Sequence, residues 1–543
     1  MAKWTAVFSL AMSVCAQAAW ADGQLDPSFG SGGRVDLGLV NSSGVEGAGK
    51  VLPLGDGRFV TVGAGEGKGI WVTQNLANGA LDGSFGTAGG TYFPQSSYSF
   101  ASDAVREPNG SIVVAGGENA GASFDTLVAR LTPQGALDPS FGNDPPNPTG
   151  DGISSFDLGG DDLAKGVAID STGRIVVAGR TGPNGSHDVL LARFNSDGSV
   201  DATFGGPTGV HTDLGGDDIG TEVAMQGERI VVLANSGPST YVLGYRPDGT
   251  LDPAFGGGDG IAPVNFPTAA ESNALLVQPD GRIVVAGSHS THTYIARLQP
   301  DGSPDPSFGS AGVTSFEAPS GATEMYVAAL AQSDDGKIVA AASSYATGNN
   351  HAVLLRTLAN GQPDPAWGTN GVLTIPSPPE TSDYAYALSV EPDRRILVGG
   401  ETYANSNDDR LLLRVLGDTT PPDTAITHAP KRTRSSSRRP VTVAFEAVGD
   451  VHTTFECELI RPKRKHRHRH PARSAATRSA VAFSACASPV KYRNLRRPGR
   501  YSFAVRAIDP AGNVDPTPAT VTFKVLPKHR HKPHHHKHHA KRS

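Results

Sequence analysis

The hexapeptide LDPSFG at residues 137–142 decides the fold, because close variants of it recur along the chain. The seven copies occupy 25–30, 81–86, 137–142, 200–205, 251–256, 304–309 and 363–368. Their aspartates are Asp26, Asp82, Asp138, Asp201, Asp252, Asp305 and Asp364, which lie 51 to 63 residues apart. A repeat of this length is too long for one helical-repeat unit and fits a four-stranded propeller blade.

Each repeat unit contains four short runs with the pattern of β-strands. Examples of the four are residues 34–37, 167–169, 283–287 and 188–194. Asp-Gly turns separate β-branched runs, which is typical of hairpins because Gly accepts a positive φ. Seven complete units between Asp26 and Val415 therefore predict an all-β, seven-bladed β-propeller. The competing arrangement is a linear β-solenoid, whose coils are much shorter than these units.

The hexapeptide aspartate is predicted to be structural, since seven copies of a catalytic carboxylate serve no reaction. An arginine ends the fourth run a few residues before most hexapeptides, and we expect it to bind the following aspartate. These arginines are Arg130, Arg193, Arg297, Arg356 and Arg414. Gln74 and Gly244 take the place of arginine in two units, where the backbone is expected to carry the contact.

The repeat resembles the delta-60 repeat family of bacterial secreted and surface proteins. The shared elements are LDPSFG, PDGRIVVAG at 279–287 and the ARLxPDG pattern at 296–302. The resemblance covers residues 22–418 and implies a β-propeller-like fold without an established reaction. Single units depart from the family pattern at Pro304, Pro363 and Trp367.

Residues 1–21 are predicted to be a secretory signal peptide. Lys3 precedes an apolar stretch, and residues 19–21 offer a small-x-small cleavage site before Asp22. A lipoprotein signal at Cys15 is the alternative, although Val14 is large for the position before a lipidated cysteine. No other stretch approaches the ~20 apolar residues of a membrane span. We therefore expect a secreted, extracellular or cell-envelope protein.

Residues 419–526 are predicted to form a second domain after a Pro-rich linker. Alternating apolar residues at 441–447, 455–459, 501–508 and 519–525 favour a small β-sandwich. TPPDT at 420–424, FEC at 455–457 and RAIDPAGNVDPTPA at 506–519 are similar to bacterial Ig-like modules. The resemblance implies a disulfide between Cys457 and Cys486, worth roughly 3–4 kcal/mol by chain entropy. Two free thiols are the alternative.

Charge is distributed very unevenly along the chain. The net charge is −6, but residues 420–543 carry 26 Lys+Arg and 7 Asp+Glu, a net of +19 against −25 for the preceding residues. The basic residues are concentrated in an insertion at 461–480 and in a His/Lys/Arg-rich tail at 527–543. The tail lacks a core-forming pattern and is predicted to be disordered.

Three partners are compatible with this basic half. The first is an anionic cell-envelope polymer or glycan, attracted by charge. Nucleic acid fits less well, because no aromatic residues interleave with the charges to stack on bases. The third is a transition metal, since consecutive imidazoles chelate zinc, nickel or copper without a fold. The candidate ligands are His534, His535, His536, His538 and His539.

Acidic residues recur in the variable loops between the first and second runs of the units. The candidate rim consists of Asp161, Asp162, Asp217, Asp218, Glu271 and Glu324. A ring of carboxylates suits calcium, which prefers oxygen ligands. The alternative is a rim that is merely acidic and solvated.

No enzyme motif is present, and no catalytic residue is predicted. The sequence has no HExxH, no P-loop lysine motif and no GxSxG. The favoured function is a monomeric, non-enzymatic binding or scaffold protein with no cofactor beyond calcium or a transition metal. The alternative is a secreted hydrolase or lyase that acts on glycans through loop carboxylates. That alternative requires two acids about 5–10 Å apart in an axial pocket.

Overall fold

The computed structural model describes residues 22–527, apart from a set of short segments. These are 39–45, 66–68, 94–98, 120, 122, 143–149, 158–159, 184, 405–406, 435–439, 449, 451–452 and 463–482. Every regular element of the described residues is a β-strand. No described residue belongs to a helix long and apolar enough to span a bilayer. The chain divides into two compact units, residues 1–418 and residues 419–543.

The first unit contains 28 strands in its described residues. They are β1 (Arg34–Leu37), β2 (Glu46–Pro53), β3 (Phe59–Gly65), β4 (Gly69–Asn75), β5 (Gly90–Phe93), β6 (Ser99–Arg106), β7 (Ile112–Asn119), β8 (Phe124–Leu131), β9 (Ile153–Phe156), β10 (Leu163–Ile169), β11 (Ile175–Thr181), β12 (Asp188–Phe194), β13 (Val210–Thr212), β14 (Asp218–Gln226), β15 (Arg229–Ser236), β16 (Ser239–Tyr245), β17 (Ile261–Val264), β18 (Glu271–Val277), β19 (Ile283–His289), β20 (His292–Leu298), β21 (Val313–Glu317), β22 (Ala322–Gln332), β23 (Ile338–Ala346), β24 (His351–Thr357), β25 (Val372–Ile375), β26 (Thr381–Val390), β27 (Ile396–Ala404) and β28 (Asn407–Val415).

The described strands of this unit form seven antiparallel sheets of four strands each. Six sheets are made of consecutive strands, from β2-β3-β4-β5 to β22-β23-β24-β25. The seventh has the order β1-β28-β27-β26, so the first strand of the chain completes the last sheet. β1 pairs with β28, and the register runs from Arg34 opposite Leu413 to Leu37 opposite Arg410. Such four-stranded meanders are consistent with propeller blades.

The sheets are offset by one strand from the sequence repeat. The hexapeptide at 81–86 lies between β4 and β5, which are neighbours in one sheet. Each of the six consecutive sheets therefore takes its last strand from the run that follows the next hexapeptide. The run after a hexapeptide pairs with the strand before it, because a short connection joins antiparallel neighbours.

The core of the first unit lies between neighbouring sheets. One cluster joins Val60 and Ile70 of the first sheet with Val114 and Leu127 of the next. The last sheet packs in the same way on the first, where Phe59 meets Leu412. Each sheet thus buries both faces against its neighbours.

In each of the seven sheets, one edge strand contains a β-bulge and lines one common cavity. The seven strands are β2, β6, β10, β14, β18, β22 and β26. Each has a register shift that leaves one residue at the cavity outside the ladder, and β22 has a second shift at Thr323. The seven residues that line the cavity in this way are Gly49, Ser102, Lys165, Thr221, Asn273, Ala328 and Tyr386. A bulge re-aims a side chain, so the cavity wall is set by the bulges.

The second unit consists of two sheets around one core. Its strands are β29 (Asp423–His428), β30 (Arg432–Arg434), β31 (Val441–Val448), β32 (Thr454–Ile460), β33 (Ser484–Cys486), β34 (Val490–Tyr492), β35 (Gly499–Ile508) and β36 (Ala519–Leu526). The sheet orders are β29-β31-β34 and β30-β36-β35-β32-β33. Val443 and Phe445 of the first sheet pack against Phe503 and Phe523 of the second. The Cys457–Cys486 disulfide is present between β32 and β33.

Candidate functional site

The hexapeptide aspartates are held by a turn and by a cation. In one copy, the backbone N–H and the hydroxyl of Ser140 donate to Oδ1 of Asp138, at 2.9 and 2.7 Å. The Nε of Arg130 donates to Oδ2 at 2.8 Å, and its guanidinium lies 4.8 Å from the ring centre of Phe141. The same arginine contact, at 2.7–2.9 Å, holds four other copies: Asp201, Asp305, Asp364 and Asp26.

The two units without this arginine use other side chains, contrary to the expectation that the backbone replaces it. The amide of Gln74 donates directly to Asp82 at 2.7 Å. Arg229 is the first residue of β15, and its Nε donates to Oδ2 of Asp252 at 2.8 Å. The guanidinium of Arg229 also lies over the ring of Phe255. A buried carboxylate needs a charged or strongly polar partner, and a neighbouring strand supplies it.

These contacts favour the ionised form of Asp82 and Asp305. Burial alone would raise the pKa of Asp305, but hydrogen bonds from Ser307 and the ion pair with Arg297 outweigh it and lower the pKa. The hydroxyl and N–H of Ser84, followed by Gln74, lower the pKa of Asp82 to about 2. The hexapeptide thus forms a structural anion site rather than an acid–base site.

The common cavity has a volume of about 750 Å³. Lys50 lies in its wall with its Nζ 2.5 Å from Oδ1 of Asp103 and 3.8 Å from Oε1 of Glu222. Burial disfavours the charged form of Lys50, but these two carboxylates outweigh it and raise its pKa. Burial also raises the pKa of Glu222, against the attraction of Lys50. Three sheets are linked through this one ammonium.

A second lysine in the cavity lacks such partners. Lys165 is the bulge residue of β10, and no described carboxylate lies within ion-pair distance of it. Burial, and then the charge of Arg180, lower the pKa of Lys165. Hydrogen-bonding groups of Thr221, Asn273 and Tyr386 line the same cavity. The wall therefore offers a cation and neutral polar groups, together with the carboxylates of Asp217 and Glu271 and the acids bound to Lys50.

The predicted acidic rim does not converge on one point. Asp162 and Asp218 are fully buried in two separate links between sheets, and Glu271 and Glu324 are exposed. Of these four, Glu271 lines the cavity. Among the described residues the six carboxylates are thus spread over several loops.

The two other predicted rim acids bind neighbouring loops. Oδ1 of Asp161 accepts from the N–H of Phe124 at 3.2 Å. Oδ1 of Asp217 accepts from the N–H of His187 at 3.0 Å, and its distance to Nδ1 of the same histidine is 2.6 Å. Both carboxylates therefore fix the link to the preceding sheet, and Asp217 also lines the cavity.

An acidic cluster that sequence reasoning missed lies at one of these links. One oxygen each of Asp188, Asp213 and Asp218 lies within 4.8 Å of the others. A second repeated motif, DLGGDD at 157–162 and 213–218, could have indicated this cluster from the sequence. Only the pairing of strands brings Asp188 to that segment.

Several predicted features lie outside the described residues. They are the signal peptide at 1–21, most of the basic insertion at 461–480, and the tail with His534, His535, His536, His538 and His539.

The fold and the repeat define a β-propeller repeat protein. Five segments match a family model described as "Domain of unknown function (DUF5122) beta-propeller": residues 107–141, 171–204, 278–308, 334–366 and 391–420. The first four lie in the first unit, and the fifth lies there except for its last two residues. No curated protein matches the chain.

Solved structures resemble the chain only distantly. The extracellular domain of a hybrid two-component system from B. thetaiotaomicron is 10% identical, with a TM-score of 0.38. That match covers 92% of this chain, which spans only 58% of the other. The polysaccharide lyase Uly1 is 9% identical over 68% of this chain and 90% of its own, with a TM-score of 0.38. Similarities at this level say nothing about what the chain binds.

Proposed function

We propose that the chain is a secreted or cell-envelope-associated binding protein without enzymatic activity. In this proposal the first unit is a closed seven-bladed propeller, displayed on an Ig-like module. Ligand binds in the axial cavity, and the basic C-terminal half holds the protein to anionic envelope polymers. The observation that carries the proposal is the cavity lysine, Lys165, which has no described carboxylate as its partner.

Ring closure is supported by contacts between the last sheet and the first. Arg414 of β28 donates to the carbonyl oxygen of Ala77, which follows β4, at 2.5 Å. Arg297 makes the corresponding contact with Ala359 at 2.7 Å between two consecutive sheets. The same arginine-to-carbonyl contact thus joins the last sheet to the first and joins two consecutive sheets, as expected for a ring.

The cavity suggests a hydroxylated ligand that carries a carboxylate. Lys165 would pair with the anion, and Thr221, Asn273 and Tyr386 would bind hydroxyl groups. An acidic sugar at the end of a glycan has this chemistry. Asp103 and Glu222 are already engaged with Lys50, so they fix the wall rather than flank a bond to be broken.

The experiment is calorimetry of the full chain with glucuronate oligosaccharides and with their neutral glucose counterparts. The wild type is expected to bind the acidic probe at least tenfold more tightly. Lys165→Met should remove that preference, because it takes the cation from the cavity. Lys337→Met is the matched control, since Lys337 is bound to Asp335 at 3.1 Å and does not line the cavity.

Two results would overturn the proposal. Equal affinities of the wild type and Lys165→Met for the acidic probe would remove the cavity as the site. Release of shorter products from the probe, lost in Glu222→Gln, would instead support the hydrolase or lyase alternative.

A further inference from the structure

Two consecutive links between sheets are built from the same sequence. DLGGDD at 157–162 connects β9 to β10, and DLGGDD at 213–218 connects β13 to β14. The last aspartate of each link donates its N–H to the preceding sheet, at 2.8 Å: Asp162 to the carbonyl oxygen of Phe124 and Asp218 to that of His187. An aspartate follows each of these acceptors, Asp125 and Asp188 respectively.

The second link brings three carboxylates together. Asp188 begins β12, Asp213 follows β13, and Asp218 begins β14 in the next sheet. One oxygen of each lies within 4.8 Å of the other two. Among the described residues, no lysine, arginine or histidine forms an ion pair with any of the three. Three carboxyl groups therefore meet at the junction of two sheets.

The most buried of the three has an unsatisfied oxygen. Asp218 is 0% exposed, and its Oδ2 accepts from the N–H of Leu214 at 2.5 Å. Its Oδ1 is buried and has no hydrogen-bond partner. A buried carboxylate oxygen without a partner is costly unless a cation binds it.

The closing sheet shows how the same position is neutralised elsewhere. Asp383 donates its N–H to the carbonyl oxygen of Asn350 at 3.0 Å, as Asp218 does to His187. Asp383 is also 0% exposed. There the guanidinium of Arg34 binds both carboxylate oxygens, at 2.6 and 2.9 Å. At Asp218 the corresponding positive charge is missing from the described residues.

We propose that Asp188, Asp213 and Asp218 bind a calcium ion that joins the sheet β10–β13 to the sheet β14–β17. All three ligands are carboxylate oxygens, which suit calcium rather than a softer transition metal. Calcium–oxygen bonds of 2.3–2.6 Å allow two ligands to lie up to about 5 Å apart, as these oxygens do. The ion supplies the charge that Arg34 supplies to Asp383. This inference does not depend on the proposed function of the axial cavity.

The test is calorimetric titration of the EDTA-treated full chain with calcium chloride. We expect a dissociation constant of about 1 mM or tighter, within the range of extracellular calcium modules. Asp213→Asn should bind one ion fewer per chain, or bind it at least tenfold more weakly. Asp213 is exposed, so this variant should keep the fold.

Asp259→Asn is the matched control. Both Asp213 and Asp259 are exposed, and each accepts the N–H of the residue two positions later, at 2.7 and 2.9 Å. The control should bind calcium like the wild type. Calcium at 10 mM should raise the melting temperature of the wild type and the control by about 3 °C, with no increase in Asp213→Asn.

The proposal is overturned if the wild type binds no calcium below about 10 mM. It is equally overturned if Asp213→Asn and Asp188→Asn both keep the wild-type number of ions and their affinity. Circular dichroism of each variant establishes that any loss of binding is not a loss of fold. Magnesium in place of calcium, with equal affinity, would overturn the identity of the ion.

Discussion

At the scale of single residues, the hexapeptide aspartate links three parts of the molecule. It closes its own turn and binds an arginine of the preceding strand. The bound guanidinium lies over the aromatic ring of the same hexapeptide, three residues after the aspartate. The guanidinium–ring distances are 4.1–4.8 Å in the five units that use this arginine. Each ion pair is largely buried, and removing one partner of such a pair costs several kcal/mol. The aspartate, the arginine and the aromatic ring therefore recur together in these five units as one structural group.

A buried glutamate makes stability depend on pH. Burial, and then the charge of Asp408, raise the pKa of Glu401 from 4.5 to about 7. The folded state therefore holds this proton more tightly than the unfolded state. The resulting stabilisation is complete below pH 4.5 and is lost as the pH rises through 7.

We predict that Glu401→Gln removes this dependence. Between pH 5 and pH 8 the free energy of unfolding of the wild type should fall by about 2 kcal/mol relative to the variant, after allowance for solvent screening. Urea unfolding at several pH values measures the difference. Glu317→Gln is the control, because Glu317 is exposed. Parallel pH profiles for Glu401→Gln and the wild type would contradict the prediction.

Residue contacts could be predicted from the sequence only where they repeat at a fixed spacing. Arg297 and Asp305 are eight residues apart, and the same separation joins Arg130 to Asp138. Arg229 reaches Asp252 from a different run, 23 residues away. The same contact recurs between Arg282 and Asp305, also 23 residues apart and 3.3 Å from each other. The recurring basic residue at the start of this run was therefore an available sign of it.

At the scale of elements, the residue opposite the bulge is a glycine in five of the seven sheets, and it is Ala234 or Ala342 in the other two. Gly179 of β11 lies opposite Ala164, next to the bulge at Lys165. A Cβ atom on Gly179 would lie 1.7 Å from the carbonyl oxygen of Leu163. Backbone cannot yield as a flexible side chain does, so the bulge geometry of β10 requires the glycine at this position.

We predict that Gly179→Ala destabilises the protein by about 3 kcal/mol, since the added methyl group must displace the β10 backbone. Gly83→Ala is the control, because a Cβ there meets no atom within 4 Å. It should change stability by less than about 0.5 kcal/mol. Denaturant unfolding compares the two. A Gly179→Ala variant as stable as the control would show that the strand pair has room for the methyl group.

Four runs per repeat were predictable from alternation and turn residues, whereas the bulges were not. A bulge adds one residue to a strand of seven to eleven residues without changing its overall apolar character. The offset between repeat and sheet was also hidden. Whether 90–93 pairs with β4 or with the next sheet depends on hydrogen bonds between strands, and both choices have the same sequence pattern.

At the scale of the whole molecule, the chain closes on itself through its first strand. The seventh sheet needs β1 to pair with β28, and Asp26 to bind Arg414 at 2.9 Å. Phe29 adds a fully buried ring to the cluster between the last sheet and the first. Residues nearly 390 positions apart thus determine whether the series of sheets closes. A count of seven repeats predicts that a ring is possible, but not which strand completes it.

We predict that a chain lacking residues 22–37 cannot complete this closure. Without β1, the edge of β28 is exposed, and free β edges pair with other chains. The shortened protein should aggregate or melt at least 10 °C below the full chain, because it also loses the buried Phe29 and the partner of Arg414. Size-exclusion chromatography and thermal melting measure both effects. A chain that lacks 528–543 is the control and should stay monodisperse with an unchanged melting temperature. A monodisperse protein without β1 that melts within 2 °C of the full chain would show that β28 needs no partner for closure.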